Sequence, residues 1–281
     1  MITRRIYLEV DQTEVPDASR EIEQRGFTAI RSVFSSEEIA TLRADVERVY
    51  AEVPADRRNP RLSDTELEHF RYEMLNRSTA CRDLVADRRL LDVVEPLLGE
   101  DCHVIANTAW RNPADEAHLH GGGNWHIDAG PHVPRPAGVP WDDRIPYPVF
   151  AVAAHVMLAD CPLGSGPTGF IPGSHRSGQH PPFGHEADPD LTCDGVGAET
   201  VPAAAGDVVL FASDVWHRRM PSGAGDTGRF FVQIHYGRRD LAQRIRPTAE
   251  VNHLDAATVE ATTDARHRSV LGLHPRGFYD G

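Results

Sequence analysis

From Asp101 onward the chain consists of short apolar runs bounded by Gly, Pro and Asp, a texture that admits few folds. Val104-Ile105, Val149 to Leu158, Val208 to Phe211 and Phe230 to Tyr236 have the length and punctuation of strands in an all-β barrel or sandwich. The Pro/Gly-rich stretches between them, Gly130 to Pro148 and Gly178 to Gly197, are longer than ordinary connections. Long loops on a β scaffold tend to be lids or binding loops. The first hundred residues read differently. A helix is expected over Ser19 to Gly26, then a strand at Phe27 to Ile30. Ser35-Ser36-Glu37-Glu38 is a capping-box pattern, and Ile39, Leu42, Val46 and Val49 follow at helical spacing. A Pro, Arg and Asp rich loop covers 54–65, and Leu84 to Leu98 is again helical, closed by Gly99. The expectation is a single domain over 1–281, mainly β with flanking helices. Helical support occupies about 18–100 and the β core about 101–245. The C-terminal segment, about 246–281, has a helix near Ala256 to Ala265 and is a candidate cover for the barrel mouth.

Charge and composition narrow the chemistry. A formal net charge of −13 disfavours a nucleic-acid or anionic-membrane surface, which rests on a basic face. All 29 basic residues are arginine. Without lysine there is no Schiff-base chemistry, no lysine-bound pyridoxal phosphate and no Walker-type phosphate lysine. Anionic ligands must be held by Arg, by backbone or by a metal. Cys81, Cys102, Cys161 and Cys193 form no C-x-x-C pair, which argues against a zinc knuckle or disulfide framework. No apolar run approaches the length of a membrane span, and the opening residues lack a secretory h-region, so a cytoplasmic location is expected.

Trp125-His126-Ile127-Asp128 carries the main chemical signal. Alternate residues of a strand face one side, so the imidazole and the carboxylate can converge on one metal. A strand from Gly206-Asp207 leads into His217, the glycine-rich Met220 to Gly228 follows, and Arg229 opens another strand. Read as a hairpin centred near Gly223, this sets His217 and Arg229 opposite one another on one face. Two His and one carboxylate leave three metal positions open, the arrangement of non-haem Fe(II) oxygenases. A chelating 2-oxo acid can take two of them and O2 the third. The distal carboxylate of 2-oxoglutarate then suits the planar fork of Arg229.

Taken together, Arg25-Gly26-Phe27, the Ser35 to Val53 and Leu90 to Gly99 helices, His126-Ile127-Asp128, Ile171-Pro172-Gly173-Ser174-His175 and Gly206-Asp207 leading to His217 and Arg229 resemble the phytanoyl-CoA dioxygenase family of 2-oxoglutarate oxygenases. The resemblance runs from about Glu21 to Gly237. It implies a double-stranded β-helix of jelly-roll or cupin type, iron on His126, Asp128 and His217, and 2-oxoglutarate anchored by Arg229. The implied reaction is oxidative decarboxylation of 2-oxoglutarate to succinate and CO2, coupled to hydroxylation of a small molecule. Asp128 is present, which argues against halogenation. Asn107, Thr108 and Trp110 are the candidates for further cosubstrate contacts. One position departs from the pattern: many relatives carry a small hydroxyl residue two after the distal His, and here it is Arg219.

Other residues have plainer readings. His118 and His120 form a competing H-x-H pair, but without the following Glu of a cupin they read as loop or substrate contacts. His175 is expected to organise the Pro-Gly-Ser-His turn. His155 lies in a run apolar on both faces and reads first as a satisfied core histidine, with a pocket role as the rival. Gln233 and His235 share strand parity with Arg229 and are candidate substrate contacts, while Trp125 and Trp216 read as packing residues. The favoured substrate is a specialised-metabolite intermediate, and hydroxylation, desaturation, ring formation and epimerisation stay open. Two rival functions are a non-catalytic ligand-binding barrel and a cupin-like metal hydrolase or isomerase.

Overall fold

The computed structural model describes residues 15–55, 67–114, 123–243 and 254–274. His118 and His120, the first fourteen residues and most of the 54–65 loop lie outside them. Two antiparallel sheets form the centre. Strands β1 (Phe27–Ile30), β2 (Phe70–Tyr72), β3 (His103–Asn112), β4 (Ala151–Met157), β7 (Val208–Ala212) and β9 (Arg229–Gly237) make a six-stranded sheet in the order β1-β7-β4-β9-β3-β2. Strands β5 (Thr168–Phe170), β6 (Glu199–Val201) and β8 (His217–Arg219) make a second sheet in the order β6-β5-β8. The ladders stay separate, so this is a jelly-roll sandwich rather than a closed barrel.

Period-two alternation sorts the side chains of the large sheet. Val152, Ala154, Val156, Val208, Leu210, Val232, Ile234 and Tyr236 face outward into a core shared with the helices. Ala153, Met157, Val209, Phe211 and Phe231 face inward with Phe170 of the small sheet. The helical layer follows its sequence signals. Helix α1 (Asp17–Arg25) ends at Gly26, whose φ is +91°. Helix α2 (Ser36–Glu52) begins with the expected reciprocal capping box between Ser35 and Glu38. The expected helix over Leu84 to Leu98 is instead two helices, Thr79–Val85 and Arg88–Leu98. Asp87 interrupts it, because its carboxylate accepts from the Arg89 amide and starts a new helix.

Three other expectations change. The segment 220–228 is not a hairpin turn: β8 pairs with β5, whereas β9 lies between β3 and β4. It crosses between sheets, so His217 and Arg229 are not cross-strand neighbours. The long loops pack behind the site rather than over it. Trp125 donates to Glu186 O and Asp188 O, and Trp216 Nε1 to Gln179 O. These contacts clamp the second loop to the back of the small sheet, around Ile171 and Leu191. In the first loop, Tyr147 OH donates to the buried carboxylate of Asp214 at 2.6 Å, and His132 meets Ser213 Oγ at 3.0 Å. The described C-terminal helices, Ala256–Ala261 and Ala265–Val270, lie on the helical layer, with Val270 and Leu271 in the outer core. His267 there bonds Arg82 O, away from the mouth between the sheets. No helix among the described residues is long and apolar enough to cross a membrane.

Candidate active site

A cavity of about 230 Å³ opens between the sheets, and its walls follow from strand parity. His126 and His217 exchange both backbone hydrogen bonds, each 3.0 Å, as an isolated antiparallel bridge. Cross-strand partners share a face, so both imidazoles project to the same side. Asp128, two residues on, is held by its amide donating to Ser213 O at 2.8 Å. Asp128 Oδ1 then lies 3.8 Å from His126 Nε2 and 3.6 Å from His217 Nε2. The three ligand atoms all lie within 4.8 Å of one another.

The tautomers are arranged for metal binding. His126 Nδ1 lies 2.7 Å from Asn124 O, and His217 Nδ1 lies 2.9 Å from Val215 O. A backbone carbonyl only accepts, so each Nδ1 carries a proton and each Nε2 is the ring nitrogen turned towards Asp128. Burial alone would push the Asp128 carboxyl up, but His217, His235 and His126 outweigh it and hold it far below the usual range. Two imidazoles and a carboxylate at this separation fit a divalent first-row metal with open positions.

The floor of the cavity is a polar row across three strands. Thr108 is the register partner of Gln233, and Gln233 that of His155. Trp110 Nε1 donates to Thr108 Oγ1 at 2.9 Å, and Thr108 Oγ1 donates to Gln233 Oε1 at 3.2 Å. His155 is not a satisfied core histidine: it lines the cavity, and its buried Nε2 has no hydrogen-bond partner among the described residues. Burial, and next the cation of Arg229, hold it well below the usual histidine range. Phe70, Tyr72, Trp110 and Phe231 supply an aromatic side.

Of the residues expected from sequence, His126, Asp128, His217, Arg229, Thr108, Trp110, His155, Gln233 and His235 all line this cavity. Asn107 does not. It has the opposite parity to Thr108 and Trp110, and its amide donates to Gln233 O at 3.0 Å. The sequence reading missed Asn112. This residue is the register partner of Arg229, and its Oδ1 accepts from Arg229 Nε at 3.2 Å and Nη2 at 3.1 Å. An alternation count from Thr108 and Trp110 along β3 reaches it, but only with the pairing of β3 and β9 in hand. His175, expected to organise its turn, reaches out of it: its Nε2 donates to Glu23 O of α1 at 3.0 Å, and its ring meets Tyr147 edge-on.

Comparison with known proteins agrees with this geometry. Residues 22–223 match the family model described as phytanoyl-CoA dioxygenase. An ectoine dioxygenase of Bordetella parapertussis is 26% identical over 225 residues, covering 72% of this chain and 68% of that protein. Among solved structures, the epimerase SnoN in complex with Fe3+, alpha ketoglutarate and nogalamycin RO superposes with a TM-score of 0.62 at 21% identity, over 88% of this chain and 92% of that one. EctD from S. alaskensis, with 2-oxoglutarate and 5-hydroxyectoine bound, gives 0.60 at 20% identity, over 89% and 88%. The chain therefore belongs to the phytanoyl-CoA dioxygenase family and is an oxidoreductase dependent on Fe(II) and 2-oxoglutarate.

Proposed function

We propose that the whole chain acts as one cytoplasmic oxygenase domain, with Fe(II) on His126, Asp128 and His217 and the distal carboxylate of 2-oxoglutarate at Arg229. Its substrate is a specialised-metabolite intermediate, hydroxylated or otherwise oxidised as 2-oxoglutarate gives succinate and CO2. The observation that carries this reading is the convergence of two imidazole Nε2 atoms and one carboxylate in a cavity that also holds a buried guanidinium.

When bound, the iron and cosubstrate supply the oxidising power needed to break an unactivated C–H bond. The chain's own residues do the rest. The carbonyls of Asn124 and Val215 fix the ligand tautomers. His235, with Nε2 at 3.8 Å from Asp128 Oδ2, holds the carboxylate from its second oxygen. The aromatic side keeps water from the substrate, and His155 and Gln233 present polar groups to it from the floor. A compact cavity with one aromatic wall and a few fixed polar groups suits a small, partly apolar molecule. The activities of SnoN, an epimerase, and EctD, seen with 5-hydroxyectoine, support a small-molecule substrate and leave room for an outcome other than hydroxylation.

The test is anaerobic addition of Fe(II) and 2-oxoglutarate to metal-free protein. A visible charge-transfer band is expected, abolished by Asp128→Ala and weakened by Arg229→Ala. Absence of the band in folded wild-type protein would favour a ligand-binding barrel or a metal hydrolase.

A further inference from the structure

Arg229 is not the only cation buried in the cavity. Arg219 follows His217 by two residues on β8, so both side chains project from the same face of the small sheet. Arg218, of the opposite parity, also borders the cavity, but its guanidinium lies over the Trp125 ring and donates to Ala187 O. Arg219 is 3% exposed and lines the cavity beside Thr168, its register partner on β5. Its Nη2 donates to Ser165 O at 3.3 Å, while its buried Nε and Nη1 have no hydrogen-bond partner among the described residues.

Neither arginine has an ion-pair partner among the described residues. Asn112 occupies the Nε and Nη2 side of Arg229 with a neutral oxygen. Burial pushes Arg229 down to about 9, and the next cause is the charge of Arg219. Two like charges thus share one end of the cavity; Asp226 attracts both without forming an ion pair with either, and Arg219 keeps unused donors. Buried charges of this kind are stable only when an anion pairs with them. A carboxylate offers about four lone-pair sites and can accept from two guanidinium groups at once.

We propose that the distal carboxylate of 2-oxoglutarate is gripped by two guanidinium groups, Arg219 from the small sheet and Arg229 from the large one, so that cosubstrate binding ties the two sheets together. The proposal rests on the function proposed above. It makes Arg219 a selectivity residue for 2-oxo acids bearing a distal carboxylate. It also makes the unliganded chain less stable than a version without the second cation.

The experiment compares wild type, Arg219→Met and Arg219→Lys in two readouts. The first is anaerobic titration of the Fe(II)-loaded protein with 2-oxoglutarate or with 2-oxobutyrate, which lacks the distal carboxylate. Arg219→Met is expected to weaken 2-oxoglutarate by about tenfold or more while leaving 2-oxobutyrate within about twofold, since a hydrogen bond to a charged group is at stake. Arg219→Lys should recover part of the loss. The second readout is the melting temperature of metal-free, ligand-free protein. Arg219→Met should melt higher than wild type, with a smaller upward shift on adding 2-oxoglutarate and Fe(II). If the guanidinium only supports the Ser165 carbonyl, Arg219→Met melts lower and affects both 2-oxo acids alike, which overturns the proposal. Equal 2-oxoglutarate affinity in wild type and Arg219→Met also overturns it. Failure of wild type to bind 2-oxoglutarate at all is a separate result, and it sinks the oxygenase reading first.

Discussion

Asn112 and Arg229 face each other across β3 and β9, and the Asn112 amide oxygen accepts from two nitrogens of the guanidinium at 3.2 and 3.1 Å. A neutral oxygen orients the arginine without discharging it, so the cation stays available to an anion. Asn112→Asp should place a resident carboxylate there and compete with the cosubstrate. Its dissociation constant for 2-oxoglutarate, measured anaerobically with Fe(II), is expected to rise by about tenfold or more. Asn112→Ala should have a smaller effect. Unchanged affinity in Asn112→Asp would show that Arg229 does not meet the distal carboxylate.

His235 approaches Asp128 Oδ2 at 3.8 Å, on the oxygen not shared with His126 and His217. Residues that orient a ligand from behind typically carry about 10- to 100-fold of metal affinity. His235→Ala is expected to lose Fe(II) affinity within that range while keeping its fold. Competition against a chelator measures it. Retention of full affinity would leave His235 as a substrate contact only.

Gly26 has φ of +91°, and a Cβ built on it would lie 2.6 Å from Val215 Cγ2 and 2.8 Å from His175 Nδ1. The left-handed conformation and the contact both oppose a side chain. Gly26→Ala should destabilise by roughly 3 kcal/mol or more, and it should disturb the Val215 carbonyl that holds His217. Urea denaturation would read the first effect and metal affinity the second.

Asp207 ties β1 to the start of β7. Its carboxylate accepts from Arg31 Nη1 at 2.8 Å, Ser32 N at 2.8 Å and Ala204 N at 2.9 Å. Burial pushes its pKa up, but these donors prevail and hold it below the ordinary aspartate value. The folded chain therefore binds this proton less readily than the unfolded chain. The stabilisation is complete above the unfolded value and is lost as pH falls through the folded one. Asp207→Asn should cost about 2 kcal/mol near neutral pH. The gap between mutant and wild type in denaturant midpoint should narrow as pH drops below the ordinary aspartate value. A gap independent of pH would mean that shape, and not charge, holds the junction.

What the sequence determined by itself is local. The capping box at Ser35, the glycine ends at Gly26 and Gly99, and the alternation along each strand depend on residues at most a few positions apart. Alternation alone put His126 with Asp128, and Gln233 and His235 with Arg229, on shared faces. It also sets His217 and Arg219 on one face, which the structure turns into the cavity. The tertiary structure decided which strands meet. His217 pairs with His126 rather than with Arg229, Asn112 supports Arg229, and the long loops lie behind the ligand strand instead of over the cavity. His155, in a run apolar on both faces, became a cavity residue only because its β4 neighbours are β9 and β7. Strand partners are chosen by burial between segments far apart in the chain, where many pairings satisfy the same local pattern and only the packed whole selects one.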